Sequence, residues 1–260
     1  MVKGIYTAAT GMINEQRRVD VLANNLANAS STGFKAEGST SETFKEVFAY
    51  KIKDNSEPGT ARRLGTMNPG VKIGETYTDW SQGAFHTTNN DYDMCISGDG
   101  FFTIEFTNKK GETSTMYTRD GSFKLNPDNE LVNSNGDYVL DTKGKHIKLK
   151  PLTDMVMDVN GVIYQDGQEI AQLKITDFKD YNYLSKYGET YYEAVEGAEE
   201  LKPEEITATV YNGMLESANI QVAKEMVNLI NYQRAYETNQ KMISAQDETL
   251  QIAVNDLGKL

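Results

Sequence analysis

The sequence predicts an α+β protein, with a discontinuous helical coiled-coil region from both termini and an inserted antiparallel all-β domain. Apolar residues recur every seven positions near both ends of the chain, a spacing typical of helices that pair along a seam. The middle instead carries Asx-Gly dipeptides between short alternating runs, a strong signal for β-hairpins. The predicted regions are 1–35 with 214–260 for the helices, 36–74 for an extended connector and 75–213 for the β-rich domain.

The N-terminal segment carries the first heptad seam. Gly4 and Gly11 interrupt its first half, and we expect fraying there because glycine is a poor helix former. Glu15 is the polar exception at a seam position. The apolar seam positions are Ile5, Ala8, Met12, Val19, Leu22, Leu26 and Ala29.

A polar stretch, NNLANASSTGFKA at 24–36, is predicted to end this helix. Asn, Ser and Thr hydrogen-bond nearby backbone groups and so open turns. Asn25 and Asn28 lie three residues apart, and we expect them to share a helix face. Gly33 would let the chain turn, and Phe34 would anchor that turn in an apolar contact.

The connector at 36–74 is polar and punctuated by Gly and Pro, so we interpret it as extended chain with a short ordered piece. Beyond it, runs such as FFTIEF at 101–106 predict strands. The spacing of the predicted turns favours an antiparallel sandwich or a barrel-like domain. The Asx-Gly pairs are Asp120-Gly121, Asn135-Gly136, Asn160-Gly161 and Asp166-Gly167.

The C-terminal segment has a longer heptad seam, and residues 214–257 contain neither Gly nor Pro. We expect one helix from about 217 to 257, roughly 60 Å long at about 1.5 Å per residue. Polar residues at its intermediate seam positions would cost stability and could fix register or partner number. An ordinary bundle helix with a partly wet face is the alternative interpretation. The seam positions are Val222, Met226, Leu229, Gln233, Tyr236, Gln240, Ile243, Asp247, Leu250, Val254 and Leu257.

Composition narrows the classes of function. The chain has 260 residues, of which 26 are basic and 38 acidic, a net charge of −12. That balance argues against nucleic acid or an anionic membrane as the main partner. Cys95 is the only cysteine, which excludes an intramolecular disulfide and a cysteine zinc site. No run approaches the roughly 20 apolar residues of a membrane span, and the N-terminus lacks the unbroken apolar stretch of a cleaved secretory signal.

No catalytic motif emerges from the sequence. It contains no HExxH, GxSxG, P-loop or GxGxxG pattern, and the acids at Asp91, Asp93 and Asp99 fail the EF-hand spacing. We therefore expect a structural protein that is not an enzyme and uses no metal or other cofactor. Two alternatives remain open: an enzyme acting on cell-wall glycan through an unidentified carboxylate pair, and a secreted binding module or adhesin.

Four segments, in order, closely resemble the flagellar basal-body rod and hook proteins, the axial proteins of the bacterial flagellum. Within that family the motifs are nearest to the distal rod proteins, with the proximal rod proteins next. The segments are YTAATGM at 6–12 with NNLANASSTGFK at 24–35, ISGDGFF at 96–102, YTRDGSF at 117–123 followed by LVNSNGDYVL, and GMLESANIQVAKEMVNLINYQRAYETNQKMI at 213–243.

The resemblance implies a structural subunit that polymerises head-to-tail into the helical drive shaft between motor and hook and is needed for motility. A proximal rod or hook-type axial protein is the alternative. The terminal helices would form an inner coiled-coil layer, disordered in the monomer and ordered on assembly, with the β domain outside. The implied partners are further copies of the chain, adjacent rod and hook proteins, and the flagellar type III export apparatus. Nucleic acid and membrane insertion are not expected, and export would need no cleaved signal peptide.

Overall fold

Two compact units make up the protein. We call the first the helical unit; it comprises Met1–Ala27, Glu37–Asp79 and Gln221–Leu260. The second, the β unit, comprises Asn28–Ala36 and Trp80–Ile220. The computed structural model describes residues 2–51, 62–151, 153, 155–203 and 205–257.

The helical unit contains both helices and four strands. The helices are α1 (Val2–Ala27) and α2 (Val222–Leu257), which follow from the heptad patterns at the two ends of the chain. The strands are β1 (Glu37–Thr43), β2 (Val47–Lys51), β3 (Arg62–Met67) and β4 (Val71–Thr78). β1 pairs antiparallel with β4, and β2 pairs antiparallel with β3. The β1–β4 ribbon contacts α1, where the Asn14 amide donates to Ser41 Oγ at 3.0 Å.

The β unit holds the remaining described strands, all short, as expected for a domain built from closely spaced turns. They are β5 (Phe85–Thr87), β6 (Met94–Ser97), β7 (Phe101–Thr107), β8 (Thr113–Thr118), β9 (Lys124–Leu125), β10 (Leu131–Val132), β11 (Tyr138–Val139), β12 (Met155–Met157), β13 (Val162–Gln165), β14 (Gln168–Gln172), β15 (Ile175–Thr176), β16 (Leu184–Tyr187), β17 (Tyr191–Ala194), β18 (Thr209–Asn212) and β19 (Met214–Glu216). A short 3₁₀ helix, Tyr181–Tyr183, precedes β16.

An antiparallel sheet dominates the β unit. Its order is β16–β17–β8–β7–β11–β10–β9, and β15 also pairs with β7. β12, β13 and β14 form a second sheet, while β6 pairs with β18 and β5 with β19. The last two pairings join strands that are far apart in sequence, so the end of the unit closes onto its beginning.

Two apolar clusters fill the β unit. The larger one includes Met94, Phe102, Ile104, Leu131 and Ile163, all fully buried. The smaller one is aromatic and surrounds the only tryptophan, Trp80, whose ring centroid lies 4.8 Å from that of Tyr192 and 5.5 Å from that of Phe101. Such offset and edge contacts add to the burial of the rings themselves.

The predicted α+β class with an antiparallel β domain is confirmed. The predicted connector at 36–74 instead contains β1 to β3 and part of β4. α2 begins at Val222, five residues later than predicted, because the preceding residues are held in the β unit: Ser217 N donates to the Ala84 carbonyl, and the Asn219 amide donates to Ser81. Neither described helix combines the length and apolar character needed to cross a membrane.

Three of the four Asx-Gly pairs lie in turns between paired strands, as predicted. Asp120-Gly121 does not, because β8 pairs with β7 and β17, whereas β9 pairs with β10. Gly121 is instead a point of close backbone approach. A Cβ there would lie 1.7 Å from the Met94 carbonyl oxygen, and the Met94 N–H donates to the Gly121 carbonyl at 3.0 Å.

Candidate functional site

The two helices pack antiparallel within the helical unit. Three contacts show this, seven residues apart on each helix; we call them the rungs, and they are Gly4 with Gln246, Gly11 with Asn239, and Arg18 with Tyr232. At the first two rungs a glycine faces an amide side chain, whose nearest atom would lie only 2.5 and 3.1 Å from an added Cβ. The glycines predicted to fray α1 therefore let α2 approach closely, and the helix runs through both of them.

The third rung is the most strongly bonded. Arg18 Nη2 donates to the Tyr232 hydroxyl at 2.6 Å, and the guanidinium carbon lies 3.9 Å from the centroid of the tyrosine ring. Arg18 also lies 3.5 Å from Glu15 Oε1 on the same helix. A cation held over an aromatic face contributes about 0.5–2 kcal/mol, depending on its exposure.

The predicted seam of α1 is largely shielded from solvent. Ala8 and Leu22 are buried, and four further seam residues are half-buried: Ile5, Met12, Val19 and Leu26. Glu15, the polar exception, is half-buried on the same side. The helix thus presents a narrow stripe to its partner rather than a broad apolar face.

The predicted seam of α2 divides into two sets. Leu229, Tyr236, Ile243 and Leu250 are half-buried, on the side that carries the rungs. The remaining predicted positions are exposed to solvent: Val222, Met226, Gln233, Gln240, Asp247 and Val254. The side chain of Leu257 lies outside the described residues. Between the half-buried apolar residues, the rung residues Tyr232, Asn239 and Gln246 are also half-buried. Each lies one residue before a predicted seam position, namely Gln233, Gln240 and Asp247.

The N-terminal part of α2 exposes apolar side chains to solvent. Val222, Met226, Val227 and Ile230 are 39–57% exposed, and their spacing places them along one side of the helix. We call these four residues the outer strip. Apolar side chains gathered on one exposed surface typically mark an interaction site.

At the end of α1, Asn25 holds the chain where it enters β1. The Asn25 amide donates to the Glu37 carbonyl at 2.8 Å, and the Glu37 N–H donates to Asn25 Oδ1 at 2.9 Å. One side chain therefore satisfies both backbone groups of Glu37, as a neighbouring strand would. Asn28 does not share this role, because it lies beyond the helix, where its carbonyl accepts from Ser31 N at 3.1 Å.

Gly33 and Phe34 lie in the β unit. Gly33 has a φ of +65°, a left-handed conformation that glycine adopts without strain. A Cβ at Gly33 would lie 2.3 Å from the Arg119 carbonyl carbon, so the position also demands close backbone contact. Phe34 is buried, with Lys186 Nζ 4.2 Å from its ring centroid.

A buried charge cluster that was not predicted from the sequence lies next to this turn. Lys35 and Glu216 are each about 1% exposed at the side chain, and Lys35 Nζ lies 2.7 Å from Glu216 Oε1. Arg119 Nη1 lies 3.4 Å from Glu216 Oε2, and the Gly83 N–H donates to Oε1 at 2.9 Å. We call Lys35, Arg119 and Glu216 the hub. Burying these charges is tolerable because each is paired and further hydrogen-bonded.

The hub joins chain segments that are remote in sequence. Lys35 also donates to the Ser81 carbonyl, and Arg119 Nη2 donates to the Gly98 carbonyl at 2.8 Å. The Gly33 N–H donates to the Glu216 carbonyl at 2.8 Å. The segments that carry the sequence resemblance at 24–35, 96–102, 117–123 and 213–243 all contribute to these contacts. No local sequence pattern marks these three charges for burial, because charged residues are usually exposed.

Cys95 lies in the core near the hub. Its thiol is fully buried. Burial, and then the negative charge of Glu216, raise the pKa of Cys95 to about 11. A neutral thiol of this kind is a small core side chain rather than a nucleophile. Among the described residues, no three His, Cys, Asp or Glu side chains are arranged to hold a metal ion.

Known proteins match the chain along its whole length. Family models for the flagella basal body rod protein, the flagellar hook protein FlgE/F/G D1 domain and the flagellar basal body rod FlgEFG protein C-terminal match residues 5–35, 95–171 and 211–257 respectively.

Among curated relatives, the flagellar basal-body rod protein FlgF of Caulobacter vibrioides is 32% identical over 100% of both chains. The rod protein FlgG of Borreliella burgdorferi is 32% identical over 98% of each chain. FlgG of Buchnera aphidicola subsp. Baizongia pistaciae is 29% identical over 96% of this chain and 98% of its own. The chain therefore belongs to the flagellar basal-body rod protein family.

Proposed function

We propose that this chain is a structural subunit of the bacterial flagellar basal-body rod, in its distal part. It polymerises head-to-tail into the helical shaft between motor and hook, and flagellum-dependent motility requires it. The family membership supports the rod assignment. The distal position rests on the sequence motifs and on FlgG relatives; a proximal rod or hook-type position is the alternative.

The outer strip is the observation that carries the assembly part of this proposal. The two helices bury only a narrow seam between them and leave Val222, Met226, Val227 and Ile230 exposed. A stable monomer gains nothing from these side chains in water, whereas a neighbouring subunit would bury them at about 25 cal/mol per Å² of apolar surface. Contacts between unlike surfaces whose rotation does not close generate helical filaments.

The proposal includes the arrangement expected from the resemblance. The terminal helices would form an inner coiled-coil layer and the β unit would lie outside it. Adjacent rod and hook proteins would cap the polymer at its two ends. Export through the flagellar type III apparatus without a cleaved signal peptide belongs to the same proposal, as does the absence of a catalytic role.

Two neighbouring positions on α2 provide a sharp test. Leu229 lies on the side facing α1, whereas Ile230 lies in the outer strip. Ile230→Glu should leave the helix content of the purified protein unchanged and abolish rod completion and swimming when it replaces the native residue. Circular dichroism, electron microscopy of basal bodies and swimming halos measure these outcomes.

Leu229→Glu is the matched control, because it places the same charge one residue away, on the inner seam. This variant should lose both helix content and motility, since a buried unpaired charge opposes helix pairing. Normal swimming of the Ile230→Glu strain would contradict the proposal.

A further inference from the structure

We propose that the rungs, and not the apolar seam, select the register in which α1 pairs with α2, and that Arg18–Tyr232 is the selecting rung. This inference concerns contacts within one chain. It therefore holds or fails independently of the proposed assembly into a rod.

The apolar seam alone does not distinguish one register from the next. Seam residues repeat every seven positions on α1, and the half-buried apolar residues of α2 repeat at the same interval. If one helix slides by one heptad, roughly 10 Å at about 1.5 Å per residue, apolar residues again face apolar residues. The apolar seam by itself therefore does not select one of these registers.

The rungs, in contrast, change with every slide. In the register observed, the Tyr232 ring meets the Arg18 guanidinium. Sliding by one heptad in one direction would place Arg18 opposite Asn239, and sliding in the other would place it opposite Glu225. In that second slide Tyr232 would face Gly11, which offers neither a cation nor side-chain atoms to pack against.

Glu225 is a competing partner for Arg18 in the slid register. One of its carboxylate oxygens, Oε2, is buried and finds no hydrogen-bond partner among the described residues; the same is true of Arg18 Nε. An Arg18–Glu225 pair would satisfy both groups, so the slid register has its own attraction. Tyr232 prevails by offering Arg18 a hydroxyl at 2.6 Å together with an aromatic face.

Disulfide trapping distinguishes the two registers. Gly11→Cys/Asn239→Cys places two thiols together in the observed register, and Gly4→Cys/Asn239→Cys does so in the register slid toward Glu225. Both pairs share the cysteine at position 239, and both are made in full-length protein carrying Cys95→Ala, so that no third thiol competes. Cross-linking under mild oxidation is quantified by gel mobility and peptide mass.

With Tyr232 intact, only the Gly11→Cys pair should cross-link efficiently. Tyr232→Leu should raise the Gly4→Cys cross-link relative to the Gly11→Cys cross-link by at least tenfold. Adding Glu225→Gln to Tyr232→Leu should cancel that rise, because the competing carboxylate is gone. Tyr232→Phe, which keeps the ring and removes the hydroxyl, should retain the observed register.

Two outcomes would overturn the proposal. If Tyr232→Leu leaves cross-linking confined to the Gly11→Cys pair, another feature sets the register. If both cross-links fall together with the helix signal in circular dichroism, Tyr232 holds the helices together without choosing between registers.

Discussion

The two units of this protein bury very different material. The β unit has a continuous apolar core and an aromatic cluster around Trp80. Among the described residues of the helical unit, the buried apolar side chains are only Ala8 and Leu22, and Asn14 and Asn25 are buried just as deeply. Burial of apolar surface is the main favourable term in folding. It therefore contributes much more to the stability of the β unit than to that of the helical unit.

The buried polar groups of the two units also differ. In the β unit, the hub pairs full charges at short distances where the side chains are buried. In the helical unit, the rungs pair glycines, amides and one cation–aromatic contact, all half-exposed or close to solvent. The first arrangement is rigid and costly to break, whereas the second can separate and re-form. The hub is therefore the harder of the two arrangements to break.

Among the changes predicted for the β unit, breaking the hub should cause the largest loss of unfolding free energy. Glu216→Ala leaves Lys35 and Arg119 buried without their counter-charge, and should cost the β unit about 3–5 kcal/mol of unfolding free energy. Denaturant unfolding followed by the fluorescence of Trp80, the only tryptophan, measures it.

The exposed pair Lys179–Glu199 is the matched control, because its charged atoms are also close, at 2.6 Å, but both side chains are mostly in solvent. Glu199→Ala should leave the unfolding midpoint unchanged. Equal effects of the two substitutions would mean that burial does not determine the strength of the hub.

The turn at Gly33 should give the next largest effect. Gly33→Ala combines an unfavourable φ with backbone overlap at Arg119, and should destabilise the β unit by about 2–3 kcal/mol. The same fluorescence assay measures this loss.

Gly144 has a similar φ of +70° and open space around it. Gly144→Ala should therefore cost only about 1 kcal/mol. If Gly33→Ala and Gly144→Ala lost the same unfolding free energy, the close backbone contact between Gly33 and Arg119 would not contribute to the loss.

Alkaline pH should weaken the β unit to a smaller extent. Because burial raises the pKa of Cys95 to about 11, the unfolded chain releases this proton at a lower pH than the folded unit does. The contribution of Cys95 to the free energy of unfolding is therefore complete below about pH 9. It falls by about 2 kcal/mol as the pH rises from 9 to 11. Cys95→Ala should flatten the slope of unfolding free energy in that interval.

If the unsubstituted protein and Cys95→Ala had the same slope of unfolding free energy against pH, Cys95 would not be the group responsible. Tyr117, Tyr181 and Tyr191 also have pKa values raised above their ordinary range, mainly by burial and then by a carboxylate partner. They act in both proteins, so the difference between the two slopes isolates the thiol.

The fold class and the two helices could be predicted because heptads and Asx-Gly turns are local patterns. The choice of inward positions on α2 could not. From Leu229, a heptad can continue through Tyr232 or through Gln233, since both spacings return to Tyr236. Both candidates are polar or amphipathic, as are Asn239 and Gln240 further along, so hydrophobicity does not separate them. Only the partner helix, with its glycines and Arg18, makes that choice.

The hub could not be predicted from sequence patterns either, for a different reason. Lys35, Arg119 and Glu216 have ordinary neighbours in sequence, and charged residues are usually exposed. Their burial follows from strand pairings that bring β19 beside β5 and the Gly33 turn beside Glu216. Such long-range pairing has no local signature. The strands within 36–74 were not predicted either, because they pair with each other or lie on α1 and carry few apolar residues.

The hub also sets an order of events for a chain made from its N-terminus. Lys35 and Glu216 are 181 positions apart, so the lysine is synthesised long before the carboxylate that neutralises it. Closing so long a loop is entropically expensive, and the pair can form only once nearly the whole β unit exists. Until then the interior that will surround Lys35 cannot close without burying a lone charge. We therefore expect the β unit to complete its folding only after Glu216 has been made, and a chain that ends before Glu216 to leave Lys35 without its counter-charge.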